Sequence, residues 1–260
     1  MSRHHHTFTF FSTTPVFARA EFAQTVGRRP DDRVVTAMLA HHLRAGNIRR
    51  IARGVFASVS NPDRFLAASR LREGAVIAYR SALEMHGCTP TGNGEIQLIA
   101  PGEPGRVQTT EFVCHFVTPP CHLSASDGVT TVERQGLTVK LTSLERTIID
   151  SLDRYPLAGG AEELFGLLDT VADSGVRLDI DALLYFAARM GNAAAAGVLG
   201  FWLDCERARL EVTYATLQHL RAFAPRQSRY ALGAKPGRGR AATGWNVILP
   251  HEITERYLGG

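Results

Sequence analysis

The sequence predicts an α+β protein in two domains, and three observations carry that expectation. Helical and β-type hydrophobic periods both occur, with strands grouped in the middle of the chain and helices after them. Residues 31–58 join one capped amphipathic helix to two short β-type runs. Charge is divided unevenly: residues 1–72 hold twelve arginines and four acidic residues, a net +8, and the remainder carries −4, which together give the chain's +4.

Phe10, Phe11, Val16 and Phe17 open the chain and are expected to cover the back of the first domain. Arg19 to Val26 forms a short amphipathic helix with Phe22, Ala23 and Val26 inward, and Gly27 to Pro30 makes the turn after it. The next helix, Asp31 to Ala45, starts at Asp31 and Asp32, whose carboxylates can accept from its first free amides. Val35, Leu39 and Leu43 recur every fourth residue, with Val34 and Met38 widening the apolar stripe. Gly46-Asn47 ends it, because a glycine there takes the left-handed conformation. Ile48 to Ile51 and Val55 to Val59 then read as a hairpin closed at Arg53-Gly54. The opposite face of the helix carries Arg33, Thr36, Ala37, Ala40, His41 and Arg44. Helix, turn, helix and arginine-bearing hairpin are the order of a winged helix-turn-helix, which presents its second helix to the DNA major groove.

Asn61 to Asp63 cap a further helix to Arg72, and Glu73-Gly74 is the expected boundary, giving domains 1–72 and 73–260. Ala75 to His86 reads as a helix. Alternating runs at 95–100, 111–117, 129–133 and 137–141 predict a small, mainly antiparallel sheet, with a hairpin at Arg134-Gln135-Gly136. Helices are expected at 142–154, 161–172, 179–190, 193–210 and 213–223, the alanine-rich start of the fourth allowing close packing. Arg226 to Arg240 reads as a solvated loop, or else as a second phosphate- or partner-contacting surface. Trp245 to Leu249 closes as a strand.

Sequence motifs for catalysis are absent: no GxSxG, GxxxxGK[ST], HExxH or strand-borne GxGxxG occurs. Asp179 and Asp181 have the spacing of a two-metal centre, but a helix cap and first-turn acid explain them better. Glu95 and Gln97 lack the further acid and lysine of a metal nuclease. Cys114-His115 and Cys121-His122 do not have zinc-finger spacing, and reduced buried thiols are the expectation. His4 to His6 read as an unstructured terminal tract. No metal, cofactor or catalytic residue is therefore expected. The chain has no bilayer-length apolar run and its N-terminus has no apolar signal segment, so a cytoplasmic protein is expected.

With these elements in place, the chain resembles the AbiEi antitoxin family of type IV toxin–antitoxin systems. The resemblance is carried by AEFAQTVG, by LRAGNIRRIARGVFASV with Gly46 to Phe56 most specific, and by AVIAYRSALEMHG, EIQLIAPG, LTSLERTIIDSLDR, AGGAEEL and GWNVILP. It implies a transcriptional autorepressor that binds inverted repeats of double-stranded DNA in its own promoter, as a monomer or weak dimer pairing on DNA. It also implies an antitoxin domain opposing a nucleotidyltransferase toxin. The DNA-binding role carries over to Arg28, Arg29, Arg33, Thr36, His41, Arg44, Arg49, Arg50 and Arg53. Two other readings stand beside it: a nuclease or nucleotidyltransferase targeted to DNA, and an interaction module that binds the toxin directly.

Overall fold

The computed structural model describes residues 3–89, 92, 94–120 and 122–259, with residues 3–6 as backbone alone. His4 to His6, expected to be an unstructured tract, lie instead in the first turns of a helix, Arg3–Thr13; the expectation for Cys121 falls outside what is described. The fold is α+β. Two compact units divide the chain, one of residues 1–77, 93–118 and 129–141 and one of 78–92, 119–128 and 142–260. The division differs from a single break at 72/73, because the middle strands belong by contact with the N-terminal segment. Among the described residues, no helix is long and apolar enough to cross a membrane.

In the first unit, α1 (Arg3–Thr13), β1 (Val16–Ala18), α2 (Arg19–Thr25) and α3 (Arg33–Arg44) precede the hairpin β2 (Arg49–Ala52) and β3 (Val55–Ala57). The three strands pair antiparallel in the order β1-β3-β2. Helix α1 was not legible as a helix in the sequence. It nevertheless places Phe11 as expected, in a core with Phe17, Phe22, Ala23, Val35, Leu39, Ile48 and Phe56. Asp32 caps α3, its Oδ1 accepting from the Val34 amide at 2.8 Å. At the other end Gly46 sits at φ 73°, and the Asn47 amide reaches back to the His42 carbonyl at 3.0 Å, a Schellman closure. Val35 and Leu39 are buried, worth roughly 1.5–3 kcal/mol each. The inward stripe differs from the expected one at two places. Val34 is exposed, and His42 is buried in its stead, its ring meeting Phe11 edge-on at 4.9 Å while Nδ1 accepts from Asn47 at 3.1 Å. Burying an imidazole is tolerable there because its polar atom is satisfied.

Helix α4 (Arg64–Ser69) is capped by Asp63, as expected. The following stretch corrects the expected helix 75–86. Val76–Ile77 is instead a strand, β4, held between two neighbours, and helix begins only at Tyr79. With β5 (Ile96–Ile99), β6 (Gly105–Gln108), β7 (Val113–Val117), β8 (Val129–Arg134) and β9 (Leu137–Thr142) it forms a six-stranded sheet in the order β6-β7-β5-β4-β9-β8. The sheet is mixed: β6 and β7, β4 and β5, and the β8–β9 hairpin run antiparallel as expected, while β5 runs parallel to β7 and β4 parallel to β9. Inserting β4 between β5 and β9 is a long-range pairing, invisible in local periodicity. Strand β6 was also missed, since GRVQ has no apolar alternation strong enough to announce it. The expected hairpin at Gln135-Gly136 is present, both residues having positive φ of 50° and 77°.

The second unit is mainly helical. Its helices are α5 (Tyr79–Met85), α6 (Leu144–Asp153), α7 (Ala161–Asp173), α8 (Ile180–Met190), α9 (Ala193–Cys205), α10 (Tyr214–Arg221) and α11 (His251–Leu258). Ser143, Asp179, Asn192 and Thr213 each accept from a first-turn amide. Asp179 is thus a cap and Asp181 a first-turn acid. The close packing expected of the alanine-rich helix is realised at Gly197 and Gly200, which back onto Trp245 and Val247. The arginine-rich tail corrects its expectation as a loop. Arg229–Tyr230 forms β10 and Gly239–Ala242 forms β11, flanking β12 (Val247–Pro250) in a three-stranded sheet. Buried in this unit, Arg146 bonds Asp150 at 3.2 Å and the Ser124 carbonyl at 2.7 Å, and also the Asp127 carbonyl. Both side chains of the Arg146–Asp150 pair are wholly inaccessible.

Candidate nucleic-acid interface

The outward face of α3 carries Arg33, Thr36, His41 and Arg44, all exposed, with Ala37 between them. Their spacing puts them on one side of the helix, opposite Val35, Leu39 and His42. Arg33 has no side-chain partner among the described residues. The Arg44 guanidinium folds back to the Ala40 carbonyl at 3.3 Å, a weak local bond that an incoming acceptor can replace. Thr36 is engaged more firmly, by a residue that sequence reasoning left out. Arg19, at the start of α2, donates Nη2 to Thr36 Oγ1 at 2.6 Å and to the Asp32 carbonyl at 3.4 Å, with Nε on the Pro30 carbonyl. That guanidinium ties α2 to the first turn of α3 and fixes the angle between them. Its backbone amide also donates to the Gly54 carbonyl at 2.7 Å, so one residue links the hairpin turn to the outward helix.

In the turn before α3, Arg28 lies 3.6 Å from Asp32 and Arg29 lies 3.4 Å from Asp31, every one of them on the surface. Exposed pairs of this kind are worth little and are readily exchanged for a phosphate. The hairpin arginines fare differently from one another. Arg50 is exposed, its guanidinium 5.8 Å from the ring of its cross-strand neighbour Phe56. Arg53 is exposed at the turn, where Gly54 takes φ 80°. Arg49 does not join them. It pairs with Glu111 and donates to the Ser60 carbonyl at 3.1 Å, and Thr110 bonds the Ile51 carbonyl at 3.0 Å beside it. Strand β2 is therefore tied along one side to the segment before β7, and Arg49, bonded to Glu111 and to the Ser60 carbonyl, is one of the ties. A sequence cannot show this, since Glu111 lies 62 residues away.

Set against known proteins, the chain matches no family model and no curated protein. Among solved structures it is similar to the crystal structure of the RV2827C protein from Mycobacterium tuberculosis, with TM-score 0.62 over 99% of this chain and 95% of that one. The two share a fold. At 16% identity the likeness with RV2827C is one of backbone alone.

Among the described residues, no group of three or more His, Cys, Asp or Glu side chains is placed to hold a metal ion. Cys114 and His115 are neighbours on β7 and point to opposite faces. The Cys114 thiol is fully buried, and burial pushes it up to about 12, so it is held neutral. His115 instead lies 3.7 Å from Glu95, whose other oxygen accepts from Arg106 at 2.6 Å.

Proposed function

We propose that this chain is a DNA-binding transcriptional autorepressor, with the helix-turn-helix and wing formed by α2, α3 and the β2–β3 hairpin. The observation that carries the reading is the outward face of α3: cations at both ends, small residues between them, and a separate apolar face holding the helix on its core. In this reading Arg33, His41 and Arg44 reach base edges in the major groove, while Arg28, Arg29, Arg50 and Arg53 hold phosphates and set register. Thr36, already bonded to Arg19, presents that hydroxyl and guanidinium as a pair. The resemblance to the AbiEi antitoxins adds the biological setting. The operator is an inverted repeat in the chain's own promoter, and the second unit acts as antitoxin against a nucleotidyltransferase toxin.

The test is equilibrium binding of the full chain to the DNA immediately upstream of its own coding sequence, against unrelated duplex of equal length. Specific binding that Arg33→Ala and Arg44→Ala weaken bears the reading out. Equal affinity for both duplexes, unchanged by those substitutions, overturns it.

A further inference from the structure

Beside the hairpin turn lies an open groove of about 710 Å³, formed wholly within the first unit. Ala18, Val55 and Ala75 make its apolar floor, and the cations around it are Arg19, Arg53, Arg70, Arg72 and Lys140. Two acids, Glu21 and Glu73, stand among them. Most of the cations have a structural task. Arg19 holds Thr36; Arg70 pairs with Glu21 at 3.2 Å; Arg72 donates to the Glu103 carbonyl at 2.6 Å and covers Phe116 at 3.9 Å. Glu21 is neutralised in turn, one oxygen on Arg70 and the other accepting from the Ala18 amide at 2.6 Å. Arg53 and Lys140 are different. Both are exposed, and neither has an ion-pair partner among the described residues.

Lys140 is one of only two lysines in the chain and sits on β9, 87 positions beyond Arg53. Its neighbours along the strand show why it is outward: Val139 and Leu141 are buried, so the alternation turns Lys140 and Thr138 to the surface. A strand of the six-stranded sheet thereby brings an uncommitted ammonium to the same groove as the wing arginine. Positive charge without an ion-pair partner, next to a surface of the same sign, attracts a polyanion that runs from one to the other, and Glu73 is the one carboxylate of the groove that opposes it. An ammonium on a flexible stem suits a phosphate as a point charge, without reading sequence.

We propose that this groove is a second stretch of the DNA path, in which Lys140 and Arg53 contact successive backbone phosphates flanking the site read by α3. The proposal rests on the DNA-binding reading above and extends the footprint past the wing onto the six-stranded sheet. Lys140 acts as a positioning contact that adds affinity to every duplex alike.

The test is a salt titration of binding by the full chain to the same upstream duplex and to unrelated duplex. Each lost phosphate contact flattens the slope of log affinity against log salt by about one. Lys140→Gln is expected to flatten it by that amount on both duplexes, leaving their affinity ratio unchanged, and Lys140→Glu to flatten it further. Since Lys140 is exposed, thermal midpoints should match the parent and exclude misfolding as the cause. If the parent binds DNA and Lys140→Gln keeps its slope, the groove proposal falls while the α3 reading stands. If Lys140→Gln changes the ratio between duplexes, Lys140 reads bases and the proposal is equally overturned. Tighter, Lys140-dependent binding of single-stranded RNA of the same sequence would assign the groove to RNA and overturn it also. A parent that binds no nucleic acid removes both readings.

Discussion

Gly200→Ala should destabilise the second unit by roughly 2–3 kcal/mol, although alanine is the better helix former. In an open helix interior that substitution gains about 1 kcal/mol. At Gly200 the new Cβ would stand 2.0, 2.1 and 2.5 Å from three ring carbons of Trp245. Carbon atoms rest about 3.5–4 Å apart, so the ring would have to retreat by roughly 1.5 Å. Trp245 is 1% exposed and has no room to do so. Its Nε1 donates to Asp204 at 3.1 Å, and the Arg221 guanidinium lies 4.9 Å over its ring, so a shift strains both contacts. Overpacking costs about 1–3 kcal/mol, and weakening a hydrogen bond to a carboxylate adds about 1.5 kcal/mol; the propensity gain offsets part of this. Gly166, inside α7, is the control: only an Arg256 nitrogen at 3.9 Å lies near its added Cβ. Gly166→Ala should stabilise by about 0.5–1 kcal/mol. Urea unfolding followed by tryptophan fluorescence measures both, since the two tryptophans, Trp202 and Trp245, belong to this unit. A Gly200→Ala midpoint equal to or above the parent's, at unchanged slope, would refute the packing argument.

Other outcomes follow from the same contacts. Arg49→Gln should lower the stability of the first unit yet leave the salt slope of DNA binding unchanged, because its guanidinium is committed to Glu111; a slope flattened by about one would return it to the interface. Asp150→Ala should cost about 3–5 kcal/mol, since it leaves the buried Arg146 charge unpaired, and a melting point within a degree or two of the parent's would count against that. Burial lifts the Asp150 carboxyl to about 6 in spite of Arg146 beside it. A carboxyl raised above its unfolded value stabilises fully below about 4, and that contribution is lost as pH rises through about 6. Denaturation midpoints measured across that window should fall with a slope that Asp150→Asn abolishes; an unaltered slope would contradict the assignment. Asn192→Ala removes the cap that accepts from the Ala194 and Ala195 amides and should cost about 1 kcal/mol by the same urea assay.

How far the sequence reached depended on the range of the interaction concerned. Caps were legible because they act over three residues: Asp32, Asp63 and Asp179 all accept where their side chains suggested. The α3 faces were legible in outline, and the exchange of Val34 for His42 was not, since it depends on Phe11 and Asn47 closing around the imidazole. Strand β4 was read as helix because its two residues gain their pairing from β5 and β9, more than 20 and 60 residues away. In the candidate interface the same limit appears. Charge density pointed to the first quarter of the chain, but it could not show that Arg49 is engaged by Glu111, and Arg19, which joins the hairpin turn to Thr36, gave no local sign of doing so.

The most direct test of the central claim is a footprint of the full chain on its own upstream DNA, compared with the Arg33→Ala, Arg44→Ala double variant. The account predicts a protected inverted repeat for the parent, and for the variant at equal occupancy a footprint no longer confined to it. Protection of that repeat by the variant at the parent's concentration would contradict the assignment of α3 as the reading helix.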